Sequence, residues 1–130
     1  NSARTAQDAA GALNCNVGAI IKSLLFRTGD DFTLCLVAGD KRCSLNKLKE
    51  ITGKKDVSMA TPEDVKTQTG YTIGGVSPIG HLKKIEIIID NSLERFNELF
   101  AAAGHPNCVF KINLNDIQKI TNGKVKDIVQ

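Results

Sequence analysis

The order of apolar and polar positions predicts a strand near the start of the chain. Between Ile20 and Arg27 the residues alternate with a period of two, which is typical of a strand with two distinct faces. One face carries Ile20, Leu24 and Phe26, and Lys22 is the lone charge on it. An unpaired buried ammonium is costly, so Lys22 either meets an anion or ligand, or lays its stem on apolar surface and extends its head to water. The pattern leaves both alternatives open.

Further strands follow at short intervals. Gly29-Asp30-Asp31 predicts a hairpin turn after the first strand. The β-branched run from Ile85 to Ile89 predicts a central strand that is buried on both faces. The other predicted strands are Phe32–Ala38, Val57–Ala60, Cys108–Ile112 and Val125–Val129.

Apolar residues at helical spacing, preceded by capping residues, predict several short helices. Thr61-Pro62-Glu63-Asp64 is a strong helix start, with a cap, a proline in the first turn and acids at the positive end of the dipole; this helix ends at Gly70. The spacing of Leu93, Phe96 and Leu99 predicts another helix over 93–103. The remaining predicted helices are Ala6–Leu13, a segment capped by Ser44 and ended by Gly53, and a segment capped by Asn113 or Asn115 and ended by Asn122-Gly123. Strands and short helices without regular alternation indicate an α+β fold.

Composition narrows the class of protein. A chain of 130 residues with 42% apolar and 24% charged residues predicts one soluble domain, 1–130, with a real core. Aromatic residues make up 5% and tryptophan is absent, which disfavours single-stranded nucleic-acid binders that stack bases on aromatics. The net charge of +3 permits contact with a polyanion. No run is long enough to span a bilayer, and because the chain starts close to a helix cap we expect that a preceding segment has been clipped.

Several familiar chemistries lack their motifs. The four cysteines form no Cys-x-x-Cys pair and no histidine has zinc-finger spacing, so we expect no metal or other cofactor, and free buried thiols in a reducing cytosol. There is no Gly-x-Ser-x-Gly elbow, no Walker motif and no flanking pair of carboxylates. His81 and His105 are the two candidates for a general base, although a lone histidine is more often a hydrogen-bonded turn residue.

The segment from Gly70 to His81 is the strongest candidate for a binding loop. Gly74 and Gly75 allow a ligand to approach the backbone closely, whereas Pro78 stiffens the far side of the loop. Such a loop can present backbone N–H groups in a fixed array, or it can be a connector that binds nothing. A second candidate is the segment 41–55, whose six basic residues against Glu50 alone predict either a phosphate-binding patch or a solvated helix face.

Two motifs carry a resemblance to a known family. The segments are Ile21-Lys22-Ser23-Leu24-Leu25-Phe26 and Gly70-Tyr71-x-x-Gly74-Gly75-Val76-Ser77-Pro78-Ile79-Gly80-His81. Together they resemble the YbaK/ProX family of aminoacyl-tRNA editing proteins, which is similar to the editing insertion of bacterial prolyl-tRNA synthetases. Matches at Ser2–Ala6, Met59–Pro62 and Ala101–Asn107 extend the likeness over the chain.

The resemblance implies a fold, an activity and a site. It implies a YbaK-like, barrel-like mixed sheet of about six or seven strands with short flanking helices, and it makes Leu99–Ala103 a hairpin strand paired with Cys108–Ile112 in place of a helix. The implied activity is hydrolysis of the ester of mischarged aminoacyl-tRNA, typically tRNA for proline carrying alanine, cysteine or another small amino acid, with a substrate ribose hydroxyl helping to activate water. Lys22 is the implied catalytic residue. The implied substrate-binding residues are Ser23, Gly74, Gly75, Val76, Ser77, Pro78, His81, Gly104 and His105.

Three functions remain in competition at this point. The first is a cytoplasmic, trans-acting deacylase that binds the acceptor end of tRNA, with prolyl-tRNA synthetase as a candidate partner. The second is a non-catalytic module that recruits tRNA or a synthetase, and the third is a small-molecule amidase or esterase with His81 as base. Side chains from Ile20, Val76, Ile79 and the 101–107 turn are expected to set the pocket size. The amino acid removed and the oligomeric state are not fixed by these residues.

Overall fold

A computed structural model describes residues 6–73, 75–105 and 108–130, with His105 described by its backbone alone. Within these ranges the chain forms an α+β fold. Its helices are α1 (Ala6–Leu13), α2 (Leu45–Thr52), α3 (Pro62–Thr69) and α4 (Leu114–Thr121), with 3₁₀ turns at Val17–Ala19 and Asn91–Arg95. Its strands are β1 (Ile21–Thr28), β2 (Asp31–Ala38), β3 (Val57–Met59), β4 (Glu86–Asp90), β5 (Leu99–His105), β6 (Cys108–Ile112) and β7 (Lys124–Lys126).

The strands form two sheets. In the larger, mixed sheet the order is β3-β1-β2-β4-β7, with β1 antiparallel to β2 and β3, and β4 parallel to β2 and β7. The smaller sheet is the antiparallel hairpin β5–β6. An isolated parallel bridge between Ile20 and Phe100 joins the hairpin to the start of β1. The predicted α+β fold with about six or seven strands is therefore confirmed, but the strands lie in two sheets and not in one barrel-like sheet.

The middle of the large sheet is buried on both faces, as the β-branched run predicted. Ile87 and Ile89 of β4 pack into one core cluster, whereas Ile88 packs into a second cluster on the opposite face. The alternation of β1 is confirmed in the same way. Leu25 joins the first cluster, and Phe26 joins the second.

Side-chain caps define the ends of the helices where the sequence predicted them. Ser44 accepts a hydrogen bond from Lys47 N, and Gly53 ends α2 in the left-handed conformation. Thr61 and Asp64 form a reciprocal capping box at the start of α3. Asn113, the first of the two predicted alternatives, caps α4.

The prediction of a helix over 93–103, made from the periodicity of apolar residues, is wrong. A 3₁₀ turn occupies Asn91–Arg95, Phe96 is extended, and β5 follows. Leu93 and Leu99 are both fully buried, but they enter the core from two different elements. Pairing of β5 with β6 satisfies the backbone across the hairpin, and this tertiary pairing outweighs a short helical pattern. The hairpin that the family resemblance implied is confirmed.

Two other predictions need correction. The closing strand is Lys124–Lys126 with a separate bridge between Cys43 and Val129, not a continuous strand over 125–129. All four cysteines are free, as expected, but only Cys35 is fully buried, and Cys108 is exposed.

Candidate functional site

A cavity of about 350 Å³ opens beside β1. It forms because β3 pairs only with residues Phe26–Thr28, so the first part of β1 has an uncovered edge. Helix α1, the residues around α3 and the β5–β6 hairpin close the space around that edge. The lining residues are Ala6, Ala9, Ile20, Ile21, Lys22, Ser23, Leu24, Leu25, Met59, Ala60, Val65, Ile73, Val76, Phe100, Ala102 and Val109.

Lys22 and Ser23 supply the only polar side chains among the described lining residues. All the others are apolar, and because Lys22 and Ser23 are consecutive in β1 their side chains leave the strand on opposite faces. A largely apolar cleft with a few polar groups is typical of a small-ligand site. Sequence analysis singled out both residues, and the cavity brings them together with Val76 of the loop.

The Lys22 ammonium is half-buried and lies at the side of the cavity that faces the β2–α2 connection. Its Nζ donates a hydrogen bond to the backbone carbonyl of Lys41. Burial lowers the pKa of Lys22, and the Arg42 guanidinium lowers it further, while Asp40 and Cys43 act in the opposite direction. The head group therefore has a protein acceptor here, and a ligand that recruits it must compete with the Lys41 carbonyl.

Ser23 adds a hydroxyl and backbone groups on the cavity side. Its Oγ is buried and has no hydrogen-bond partner within the described part of the chain. The carbonyl of Leu25 accepts from Ala60 N at 3.0 Å, so it points away from β2. Residues two apart in a strand direct their backbone groups to the same side, and the N–H and C=O of Ser23 therefore also point to the uncovered edge. Unused hydrogen-bonding groups in a cavity are those that a polar ligand can satisfy.

The glycine–proline loop contributes Val76 to the lining and packs the rest of its residues beside it. Gly75, Ser77 and Pro78 are buried, but none of them lines the cavity. The Ser77 Oγ accepts from Ile79 N at 3.4 Å, and the implied substrate-binding role of Ser77 stays a prediction. The N–H of Gly75 donates to the Thr72 carbonyl at 3.0 Å. Gly74 lies outside the described residues.

His81 holds the loop together. Its Nε2 lies 2.7 Å from the Ser77 carbonyl, and because a carbonyl only accepts, this nitrogen carries the hydrogen and donates. The ring also makes an edge contact with Tyr71, with centroids 6.1 Å apart. His81 is absent from the cavity lining, so the arrangement favours a structural role over the general base of an esterase.

Tyr71 connects the loop to the β5–β6 hairpin, and sequence analysis did not assign it a role. Its hydroxyl donates to the Ile79 carbonyl at 2.7 Å. Gly104 has a φ of +92°, and a Cβ there would lie 2.9 Å from the Tyr71 ring. Gly104 thus makes room for Tyr71 and does not line the cavity, whereas the side chain of His105 lies outside the described residues. The sequence signal that could have identified Tyr71 is its position as the single tyrosine, within a glycine-rich loop.

Three of the four positions expected to set the pocket size line the cavity. Ile20 and Val76 line the cavity, and Ala102 represents the predicted 101–107 turn. Ile79 does not line it and is 36% exposed. Met59 and Ile73 instead complete the lining, and both are more than half exposed. Apolar side chains thus also surround part of the opening.

The basic segment 41–55 does not form one continuous patch. Lys47 is neutralised by Asp127, with its Nζ 3.0 Å from the carboxylate. Arg42 lies close enough to Lys22 to lower its pKa, but Lys54 lies against Gly29 at the other end of β1. At about 3.3 Å per residue, the seven residues from 22 to 29 separate these ends by about 23 Å. Arg42 therefore lies toward the Lys22 end of β1, and Lys54 lies at the opposite end.

Two further properties concern the described ranges alone. No three His, Cys, Asp or Glu side chains in residues 6–73, 75–105 and 108–130 come together as a metal site. None of the helices in those ranges has the length and apolar character needed to cross a membrane.

Comparison with known sequences identifies a family profile. The profile of the aminoacyl-tRNA editing domain matches residues 1–120. The uncharacterized protein YwhH of Bacillus subtilis is 34% identical over 125 residues, which cover 95% of this chain and 79% of YwhH. The proline–tRNA ligase of Thermosipho africanus is 31% identical over 112 residues, covering 86% of this chain but only 20% of the ligase.

A named relative and a solved structure agree with that profile. EbsC of Enterococcus faecalis, designated a candidate Cys-tRNA(Pro)/Cys-tRNA(Cys) deacylase, is 28% identical over 127 residues, covering 95% of this chain and 76% of EbsC. A crystal structure described as a candidate trans-editing enzyme for prolyl tRNA synthetase superposes with a TM-score of 0.94 at 36% identity. The superposition covers 98% of this chain and 81% of that chain.

Proposed function

The chain belongs to the aminoacyl-tRNA editing domain family, and from that premise we propose that it hydrolyses the ester of mischarged aminoacyl-tRNA in trans. The observation that carries the proposal is the apolar cavity whose only described polar side chains are Lys22 and Ser23. In this reaction water adds to the acyl carbon and the ester C–O bond breaks. The products are a free amino acid and a tRNA with its terminal hydroxyl restored.

The side chains and backbone of β1 have the chemistry to hold the acyl end of such a substrate. The Lys22 ammonium is suited to the terminal phosphate or to the ester oxygens, because both carry negative charge as the reaction proceeds. Ser23 offers its N–H on the uncovered strand edge, since Leu25, two residues on, directs its carbonyl to the same side. No acid–base dyad lines the cavity among the described residues, which agrees with a substrate hydroxyl that assists water.

The finer substrate assignment is also a proposal: tRNA for proline carrying cysteine, alanine or another small amino acid. The name of EbsC and the likeness to proline–tRNA ligases support it. A synthetase pocket gains only about 1–3 kcal/mol from one methylene, so a second sieve is needed to remove smaller amino acids. A cavity of about 350 Å³ lined by alanines at positions 6, 9, 60 and 102 is suited to a small side chain.

The test is deacylation of mischarged tRNA by the purified chain. Cysteinyl-, alanyl- and seryl-tRNA for proline are incubated with the protein, and the remaining ester is measured over time. We expect Lys22→Ala to lower the rate at least about 100-fold, the loss typical of removing one donor to a developing charge. Lys111→Ala is the matched control, because Lys111 pairs with Glu98 on the surface of β6 and should leave the rate unchanged.

Two results would count against the proposal. One is an ester half-life that the protein does not shorten for any of the three substrates. The other is equal activity of Lys22→Ala and wild type, with both folded by circular dichroism.

One observation favours a second candidate, a non-catalytic module that binds tRNA or a synthetase. The Lys22 ammonium already donates to the Lys41 carbonyl, so it has a structural partner without any substrate. This candidate is supported if the protein binds the tRNA acceptor end in a salt-sensitive manner while the ester half-life stays unchanged.

A further inference from the structure

The uncovered edge of β1 is a gap between two strands that continue the sheet on either side of it. The backbone groups of every second residue in β1 point away from β2, and on that side the Leu25 carbonyl accepts from Ala60 N at 3.0 Å. Pairing with β3 begins at Phe26, and the bridge to β5 closes the other end of the same edge. Between these ends, Ser23 directs its N–H and C=O to the cavity, and no residue in the described ranges pairs with it there.

An aminoacyl ester carries the groups that complement this edge. Its α-ammonium donates hydrogen bonds and its acyl carbonyl accepts them, and the two groups flank one α-carbon, as they do in a residue of a strand. In an antiparallel sheet, the two residues of a hydrogen-bonded pair exchange both bonds, one from each N–H to the opposite carbonyl. One aminoacyl group is therefore long enough to pair with one residue at an exposed strand edge.

We propose that the aminoacyl end of the substrate docks on Ser23 as an antiparallel partner of a single residue. Its α-ammonium donates to the Ser23 carbonyl, and its acyl carbonyl accepts from the Ser23 N–H. The identity of this ligand rests on the deacylase function proposed above, whereas the gap in the strand pairing is a property of the fold. The backbone of β1 thus recognises the groups that all amino acids share, and the cavity walls contact the side chain.

The direction of an antiparallel pair places the ester on the Lys22 side of Ser23. A partner that runs antiparallel to β1 has its amino end toward Leu25 and its carboxyl end toward Lys22. The ester oxygen therefore follows the acyl carbonyl in the direction of Lys22. This direction brings the bond that breaks toward the residue whose ammonium is proposed above to interact with the ester.

The same pairing determines which face of the sheet receives the amino-acid side chain. Opposite residues of a pair direct their side chains to one face, so the side chain of an L-aminoacyl group lies on the face of Ser23. Leu25, two positions on, packs on that face into the first core cluster, and the lining residues Ala60 and Val76 belong to the same cluster. A D-aminoacyl group held by the same two bonds directs its side chain to the opposite face, which is the face of Lys22. The edge is therefore selective for the L configuration.

Three acyl groups on tRNA for proline test the pairing. L-alanyl-tRNA has both polar groups, propionyl-tRNA lacks only the ammonium, and D-alanyl-tRNA has the opposite configuration. Each rate with the full chain is divided by the rate of spontaneous hydrolysis, because the ammonium itself alters the reactivity of the ester. We expect propionyl-tRNA to react about 10–100-fold more slowly than L-alanyl-tRNA, the loss typical of one hydrogen bond to a charged group. D-alanyl-tRNA should react at least about tenfold more slowly, because its methyl group leaves the apolar contacts.

A backbone substitution tests the bond from the Ser23 N–H. An α-hydroxy acid with the serine side chain, introduced at position 23 by nonsense suppression, replaces this N–H by an ester oxygen. The matched control is the same replacement at Val57, with the valine side chain. Asp56 O accepts from Gly29 N and Ala60 N donates to β1, so the N–H of Val57 points away from β1. We expect slower deacylation of L-alanyl-tRNA for the replacement at position 23 and an unchanged rate for the control.

The docking is overturned by two results of these assays. One is that the three acyl groups react equally fast once their spontaneous rates are taken into account. The other is that the backbone replacements at positions 23 and 57 change the deacylation rate by the same factor, with both proteins folded by circular dichroism.

A binding measurement separates this docking from the proposed function. The probe is an adenosine analogue that carries L-alanine through an amide in place of the ester, so that it is not hydrolysed. In ¹H–¹⁵N spectra we expect the amide signal of Ser23 to shift with this analogue, at lower concentration than with its D-alanine counterpart. If L-alanyl-tRNA is not deacylated, the proposed function fails, but the shift still decides the docking. A Ser23 signal that the L analogue leaves unchanged overturns the docking even when deacylation is observed.

Discussion

Asp90 anchors the C-terminal segment to the end of β4. Its side chain is fully buried, and its two oxygens accept from Ile128 N at 2.8 Å and from Ser92 N at 2.9 Å. Ile128 is itself fully buried, so water cannot replace the carboxylate as its acceptor. Asp90→Ala therefore leaves a buried N–H unsatisfied, which is among the costlier defects in a folded protein.

The magnitude follows from the two hydrogen bonds. Each bond to a charged group contributes about 1.5–3 kcal/mol, which gives about 3–6 kcal/mol for the pair. Relief of the desolvation of the carboxylate offsets part of this loss. We therefore expect Asp90→Ala to lower the free energy of unfolding by about 3 kcal/mol, against a total of about 5–15 kcal/mol for a domain.

Urea unfolding followed by far-UV circular dichroism measures this loss. With a slope of about 1–3 kcal/mol per molar urea, the midpoint should fall by about 1–3 M. The matched control is Asp127→Ala, which removes an exposed carboxylate from the same C-terminal segment and should change the midpoint little. Equal midpoints for the two variants would refute the reasoning, because burial and the Ile128 contact would then carry no weight.

The same substitution reaches the site through the backbone. Ser44 N donates to the Ile128 carbonyl at 2.7 Å, and Gln130 N donates to the Arg42 carbonyl at 2.9 Å. The segment held by Asp90 therefore supports the connection that carries Lys41 and its contact with Lys22. Faster amide exchange at Ser44 in Asp90→Ala would report this coupling.

Two further outcomes are expected. Ala102→Leu should slow deacylation about tenfold, because the larger side chain fills the cavity. The control is Ala103→Leu, at the next and exposed position of β5, which should leave the rate unchanged. Equal deacylation rates for the two variants would contradict the assigned cavity. The hydrogen bond from Arg95 lowers the pKa of Asp40, so the pair stabilises the fold above the unfolded pKa of about 3.9 and loses this effect as the pH falls through the folded pKa. Both side chains are partly exposed, so in urea titrations Arg95→Ala should cost at most about 1 kcal/mol near pH 7. That difference should narrow as the pH falls below the unfolded pKa of about 3.9, and a constant difference would contradict the assignment.

Local signals predicted the elements well where a cap or a strict period defined them. Helices α3 and α2 were predicted from their caps, Thr61 with Asp64 and Ser44 with Gly53. The central strand was predicted from the apolar run at 85–89. In each case the residues that determine the element lie within a few positions of one another. The family resemblance corrected the segment after Leu93, which periodicity alone had made a helix. The helical spacing of Leu93, Phe96 and Leu99 is weak evidence when the same segment can pair with β6 in a hairpin.

Recognition of Lys22, Ser23 and Val76 as neighbours of one site also came from motifs in the sequence. The family and the α+β class follow from the order of motifs and elements along the chain. The alternation of β1 also follows from residue order, because side-chain direction in a strand has a period of two. The uncovered edge of β1 does not, since it depends on how far β3 extends along it. Nor does the Lys41 acceptor for Lys22. That contact joins residues from separate segments, and only the packing of the connection 39–43 against the sheet brings them together.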